Sequence, residues 1–147
     1  MSPGNERRRW HGTKRFCKIG DDPDDASPCD HPNCALCSIL SSSFQVGKVK
    51  SSGRKFSRFG AGIYASSVSS KADDYSTNVR QSSYKAMLLT TVVVGRGYKL
   101  TRDKKSLTCP PEGYHSVLGE VGDTLNYDEV VVYDDDAIRP SWLVVYQ

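Results

Sequence analysis

Residue types capable of chemistry fall in four places along this sequence. The longest is residues 59–75, FGAGIYASSVSSKADDY. Gly60, Ala61 and Gly62 let the backbone run close to a neighbour that larger side chains would exclude, although a plain turn uses the same residues. Ile63 and Tyr64 begin a short strand over residues 62–66. The serines at 66, 67, 69 and 70 are helix-capping types, and residues 71–75 read as the helical turns that follow. Tyr64 and Tyr75, one at the strand and one at the helix start, suit a flat aromatic ligand. His11 lies in RRWHGT, residues 8–13, which reads as a short strand. A satisfied structural histidine is the commoner role, but Gly12 leaves the adjacent backbone open and the chain has only three histidines. Glu129 opens the apolar stretch EVVVY, where a carboxylate is either a strand-edge charge or a functional acid.

The fourth place is a cysteine loop. Cys17, Cys29, Cys34 and Cys37 lie within residues 17–37, and the fifth cysteine, Cys109, is far along the chain. An odd number of cysteines fits poorly with a disulfide framework, and intracellular proteins rarely keep disulfides. Four thiolates in one loop, with a C-x-x-C at a helix start, suit a structural, tetrahedral zinc. Unpaired buried cysteines are the alternative. His31 competes with Cys17 for the fourth ligand position. Cys17 is preferred, because Cys29 and His31 are two residues apart and hard to aim at one ion.

The elements that must hold these groups in place are mostly strands. Residues 84–95, YKAMLLTTVVVG, are an apolar, β-branched run that reads as a central strand. Gly95 and Gly97 punctuate it, and residues 98–100 continue it after a bulge. Residues 129–133 and 141–146 (SWLVVY) are further strands, with Arg139-Pro140 setting the turn between them. Residues 34–42 are helical, with Leu36, Ile39 and Leu40 on one face. Residues 44–58 and 101–119 read as loops, the first of them exposed, basic and near enough to the glycine stretch to line a pocket. Strands outnumber helices without βαβ alternation, so the fold class is α+β, mainly antiparallel. A single domain over residues 1–147 is expected, with 1–7 a flexible start.

The net charge is only +3, but basic residues segregate. Arg7, Arg8, Arg9, Lys14, Arg15 and Lys18 form one group, and Lys48, Lys50, Arg54, Lys55 and Arg58 another. Such grouping can attract phosphates, while solvated loops explain many charge runs. No apolar run approaches the ~18 residues a membrane span needs, and the start lacks the apolar core of a secretory signal. A cytoplasmic or nuclear monomer without a membrane partner is therefore expected. Ser-His-Asp spacing, a Walker loop and H-E-x-x-H are all missing, which sets aside the reactions those motifs serve.

In order along the chain, these segments resemble the catalytic domain of the poly(ADP-ribose) polymerase family, the diphtheria-toxin-like ADP-ribosyltransferases. Trp10-His11-Gly12-Thr13 is similar to the family's W-H-G-S/T, and residues 59–75 to its F-G-x-G-I-Y-x-A…S-K-x-x-x-Y element. LLTTVVVGRGYKL, PPEGYHSVLG and NYDEVVVYDDDAIRPSWLVVY resemble the segments that follow. The likeness covers most of residues 9–147 and looks nearest to minimal members of the kind fungal genomes carry. The helical regulatory domain of the larger nuclear enzymes has no room in these residues.

That resemblance implies a two-sheet ADP-ribosyltransferase fold with NAD+ as substrate. It also implies a triad of His11, Tyr64 and Glu129. His11 would bond a ribose hydroxyl on the adenosine side, and Thr13 would approach the same ribose. The Gly12 backbone would pair with the nicotinamide amide, while Tyr64 and Tyr75 sandwich its ring. Glu129 would bond the 2'-hydroxyl of the nicotinamide ribose and stabilise the oxocarbenium-like charge. One residue departs from the pattern: the serine that usually bonds the amide falls at Ala72, a loss of about 1 kcal/mol unless Ser70 or water substitutes. Tyr127, two before Glu129, disfavours the arginine-specific class, which needs E-x-E or Q-x-E. Tankyrase-like members carry a Cys/His zinc site in this domain, but after the G-I-Y segment rather than before it. The implied activity is transfer of ADP-ribose, as a single unit, to a protein or nucleic-acid acceptor. NAD glycohydrolysis and a catalytically silent NAD+- or ADP-ribose-binding module are the alternatives. Intact His11, Tyr64 and Glu129 argue against silence.

Overall fold

The apolar run read as a central strand lies at the centre of a sheet. The structure, a computed structural model, describes residues 4–51, 58–122 and 128–147, of which 49–51 by their backbone alone. In chain order the elements are β1 (Glu6–His11), β2 (Lys14–Arg15), α1 (Ala35–Ser42), α2 (Val46–Ser51), β3 (Ile63–Ala65) and α3 (Ser69–Asp73). Then follow β4 (Thr77–Asn78), β5 (Lys85–Val93), β6 (Gly97–Leu100), β7 (Ser116–Gly119), β8 (Glu129–Val132) and β9 (Ile138–Tyr146). Strand β5 runs antiparallel between β1 and β9. A second sheet has the order β3-β8-β7-β6, antiparallel except for the parallel β6–β7 pair. Strands β2 and β4 form a small parallel ribbon. The class is α+β with two main sheets, as expected.

The sheets close on a shared core. Leu88 and Val92 of β5, Ile63 and Ala65 of β3, and Val130 and Val132 of β8 are buried together with Leu36 and Cys37 of α1. At about 1.5–3 kcal/mol per buried Leu or Val, this packing outweighs the ~1 kcal/mol span of strand propensity. A reciprocal bridge ties the sheets at the end of β1: Trp10 N donates to Ser66 O at 2.7 Å, and Ser66 N to Trp10 O at 2.9 Å. Among the described residues, no helix is long and apolar enough to cross a membrane.

Several expected boundaries move, each for a physical reason. Residues 44–58 are not all exposed loop, because Phe44 and Val46 are buried apolar anchors. Helix α2 starts where Val46 N donates to Asp135 Oδ1 at 2.6 Å. Residues 98–100 do not continue β5. Gly95, at φ +56°, turns the chain so that β6 joins the other sheet. Residues 101–119 include β7, whose Ser116 and Val117 are fully buried. Arg139-Pro140 lies inside β9 rather than in a turn, since β9 is an edge strand where a missing N–H costs little. Thr90 pairs with Pro140 while Leu89 pairs with Trp142, so Ser141 bulges between them. The turn before β9 is a 3-10 turn at Asp135–Ala137, capped by Asp134 accepting from Asp136 N at 3.0 Å. Strand β1 takes in Glu6 and Arg7, which removes them from the expected flexible start, and ends at His11.

Candidate active site

His11 is the last residue of β1, where the strand leaves the sheet and its side chain turns toward the second sheet. Its Nδ1 lies 2.6 Å from Tyr64 O on β3, which fixes the ring's orientation. Phe44 packs edge-on against that ring, with centroids 4.9 Å apart and planes at 87°. Gly12 follows and admits no side chain: a Cβ there would lie 1.8 Å from Ala72 O and 2.8 Å from Ser76 Oγ. The glycine expected for ligand access is thus also required for α3 to seat against the end of β1.

Tyr64 is held by its hydroxyl as well as its backbone. The hydroxyl accepts from Phe59 N at 2.8 Å and donates to Gly60 O at 2.6 Å. Tyr133 OH donates to Phe59 O at 2.5 Å, so two phenols clamp the one peptide segment. Gly60, at φ +80°, makes the turn, and a Cβ there would strike Leu107 O at 1.8 Å. This accounts for the glycine spacing in residues 59–62: the loop is a rigid shoulder behind Tyr64.

Glu129 begins β8 directly beside β3 and is 5% exposed. Burial raises its carboxyl above the usual glutamate range, opposed by the nearby charges of Lys71 and Arg58. Lys71 Nζ on α3 lies 3.6 Å from Glu129 Oε1. Among the described residues, Glu129 Oε2 is buried without a hydrogen-bond partner. A buried acceptor left open is costly unless a ligand supplies the donor.

A cleft of about 920 Å³ joins these groups. His11, Gly12, Thr13, Tyr64, Tyr75 and Glu129 all line it, so six of the seven expected catalytic and NAD+-contacting residues meet at one place. Ser70, the seventh, is exposed on α3 and does not line the cleft. Ala72 lines it, and the adjacent Ser76 hydroxyl is committed to Ala72 O at 3.1 Å. The expected serine capping of α3 is also replaced: its N-cap is Val68, whose N–H donates to Ser66 Oγ at 3.1 Å. Lys85 Nζ and Tyr146 OH both bond Asp73 Oδ1, at 2.8 and 2.5 Å, and pin the end of α3 to the sheet. Sequence reasoning missed Lys71 and Phe44. The S-K pair before Tyr75 was the available signal for Lys71, and the apolar Phe44-x-Val46 spacing the signal for Phe44.

The basic groups divide. Arg15 is buried, not part of a phosphate-attracting face. Its guanidinium donates to Asn78 Oδ1, Ile19 O, Asp21 Oδ1 and Tyr84 O at 2.7–3.0 Å. Lys48 and Arg58 line the cleft, as does Lys105. Arg54, Lys55 and the Lys50 side chain lie outside the described residues, as does Tyr127.

The cysteine loop gathers as expected. The sulfurs of Cys17, Cys29, Cys34 and Cys37 all lie within 4.8 Å of one another, with Cys17–Cys37 at 3.5 Å and Cys17–Cys34 at 4.0 Å. A tetrahedral zinc site with Zn–S bonds of ~2.3 Å separates its sulfurs by about 3.8 Å. Burial works against the Cys34 thiolate, yet the backbone N–H groups of Cys37, Phe16 and Cys17 hold its pKa down at about 7. His31 is engaged elsewhere: its ring stacks on Phe16 with centroids 3.6 Å apart, and Nδ1 accepts from Asn33 N. The cluster is therefore one that can hold a metal ion, with Cys17 rather than His31 in the set.

The chain is also similar to known proteins. Residues 33–124 match the family model of the poly(ADP-ribose) polymerase catalytic domain. The mouse (Mus musculus) protein mono-ADP-ribosyltransferase PARP3 is 30% identical over 117 residues, which are 78% of this chain and 18% of the mouse protein. The chicken (Gallus gallus) protein of the same name is 42% identical over 60 residues, 41% of this chain and 11% of that protein. The chain thus spans under a fifth of the length of these relatives. His11 and Glu129 lie outside residues 33–124, so their meeting with Tyr64 in the cleft is independent of that match.

Proposed function

The chain belongs to the poly(ADP-ribose) polymerase catalytic-domain family, and on that premise we propose that it transfers a single ADP-ribose unit from NAD+ to an acceptor. The observation that carries this reading is the open Glu129 Oε2, buried in the same cleft as His11, Tyr64 and Tyr75. A ribose hydroxyl is a donor of the size and polarity to fill it.

In this mechanism the nicotinamide ring lies between Tyr64 and Tyr75, and its amide meets the Gly12 backbone. His11, oriented through Tyr64 O, bonds the adenosine ribose, with Thr13 beside it. The bond from ribose C1' to the nicotinamide nitrogen breaks, and its electron pair leaves with neutral nicotinamide. Positive charge develops on the ribose, next to the Glu129 carboxylate, which favours the transition state over the ground state. The acceptor's oxygen or nitrogen forms the new bond to C1' and releases a proton to solvent. The ion pair with Lys71 opposes the effect of burial and supports an ionised Glu129 at neutral pH.

Among the described residues, five cations line the cleft (Lys14, Lys48, Arg58, Lys71 and Lys105) beside three carboxylates (Asp74, Asp103 and Glu129), and this positive excess favours a phosphate-bearing acceptor such as a nucleic acid over a neutral protein side chain. Incubation of the protein with labelled NAD+ and a panel of protein, DNA and RNA acceptors at low salt tests this. Label on nucleic acid that falls as salt rises supports it. Label on protein alone overturns the acceptor and keeps the transferase, and labelled free ADP-ribose alone overturns transfer.

The thiols of Cys17, Cys29, Cys34 and Cys37 are proposed to hold one structural zinc. The ion would join the chain after β2 to the start of α1.

A further inference from the structure

We infer that the cysteine site sets NAD+ affinity, because it is the fixed point from which α1 forms one wall of the cleft and presses Phe44 onto His11; the inference rests on the proposed zinc. Helix α1 is poorly equipped to hold itself. It has eight residues, no side-chain cap at Cys34, no acidic residue in its first turn and no basic residue in its last. A helix that short is marginal in water without tertiary restraint. Besides Leu36, buried in the core, its start is held by the cluster: Cys34 is its N-cap, Cys37 lies in its first turn, and Cys34 Sγ accepts from Phe16 N at 3.3 Å.

The far end of the helix reaches the donor site. Ser38 and Ile39 line the cleft. Ser43, at φ +62°, ends the helix with its N–H on Ile39 O at 2.7 Å and turns the chain back. That turn delivers Phe44, 4% exposed, edge-on to the His11 ring. Cys17, meanwhile, lies close after His11, Gly12 and Thr13 along the chain. A metal on these four sulfurs would therefore hold both routes to His11, the one from β2 and the one through α1 and Phe44. The groups proposed to hold nicotinamide have other supports: Tyr64 is fixed by Phe59, Gly60 and the β3–β8 pairing, and Gly12, although it follows His11, is seated against Ala72 and Ser76. Phe44 is thus a positioning residue, acting through His11.

The test compares two ligands on zinc-loaded protein, chelator-stripped protein, Cys29→Ser and Phe44→Ala. Dissociation constants for NAD+ and for nicotinamide alone are measured by calorimetry, beside metal content and the melting curve. Stripping and Cys29→Ser are expected to weaken NAD+ at least ~10-fold while nicotinamide stays within about twofold. Phe44→Ala is expected to give the same split with its zinc retained, which a merely structural role would not produce. Equal weakening of both ligands, or unchanged NAD+ affinity in Phe44→Ala, overturns the inference. Should the stripped protein and Cys29→Ser unfold, the Phe44→Ala result decides alone. A purified protein with no metal and freely titrating thiols rejects the zinc itself, and Phe44→Ala then still reports on the α1 route separately.

Discussion

The two ends of the cleft are built by different physics. At the end proposed for nicotinamide, Tyr64 belongs to a hydrogen-bonded strand, its hydroxyl is fixed by backbone groups, and Glu129 opens the strand alongside. At the end proposed for the adenosine ribose, His11 stands where a strand stops, against Phe44, which follows a helix without a side-chain cap that begins in a cluster of thiols. Sheet pairing supplies rigidity to the reacting centre, where sub-ångström placement governs rate. The proposed zinc would supply it around His11, where β1 stops. On the proposed donor pose, reaction and affinity are expected to be separable in this molecule.

The largest expected effect breaks the adenosine end. Cys34→Ala removes a buried thiol and leaves Phe16 N without its acceptor. We expect a loss of more than ~3 kcal/mol of stability and loss of bound zinc, read by thermal melting and elemental analysis. Chelation should lower the melting temperature of the wild type but not that of this variant.

Tyr64→Phe strikes the other end. It strips Phe59 N of its acceptor and leaves Gly60 O with Gly62 N as its donor, at a cost of about 1–3 kcal/mol, while zinc content stays that of the wild type. Loss of zinc in this variant would mean that the two ends are not separate.

The pH dependence sharpens the comparison at Glu129. Burial raises its folded pKa, so the folded state holds this proton more tightly than the unfolded chain does. The ionised carboxylate therefore costs stability at neutral pH, and the cost is relieved as pH falls through the folded pKa. Melting of Glu129→Gln at neutral pH is expected to equal or exceed the wild type. Wild-type transfer should decline on acidification from a pH above the ordinary glutamate range.

The smallest effect concerns the amide of nicotinamide. Ser70 does not line the cleft and the Ser76 hydroxyl is committed to Ala72 O, so neither of these two serines stands in for the one absent at Ala72. Ala72→Ser is expected to tighten nicotinamide by about 1 kcal/mol, roughly fivefold. Calorimetry with nicotinamide alone reads it, and an unchanged constant would place the amide elsewhere.

Much of this was legible in the sequence where a local pattern and the tertiary outcome agree. Strand β5 announces itself by an unbroken apolar, β-branched run, whereas Glu129 at the head of EVVVY reads by pattern alone as a strand-edge charge and enters the site only through the family resemblance. The cysteine cluster followed from thiol chemistry and spacing alone. What stayed hidden depends on contacts distant in sequence. Phe44 reads as part of a polar loop until His11 is seen beside it, and Arg15 as a surface charge until four acceptors close around it. Pro140 marks a turn by local rules, and only the edge position of β9 makes it a strand residue. Ser70 failed for a simpler reason, since a one-residue step on a helix rotates a side chain by about 100° and out of the cleft.

The central claim is that the buried carboxylate of Glu129 stabilises charge on the NAD+ ribose as nicotinamide leaves. Single-turnover transfer by Glu129→Gln, measured with labelled NAD+ beside its NAD+ dissociation constant, tests it most directly. Binding within a few-fold of wild type and transfer at least ~100-fold slower are expected. Wild-type turnover in a variant that binds NAD+ normally would contradict it.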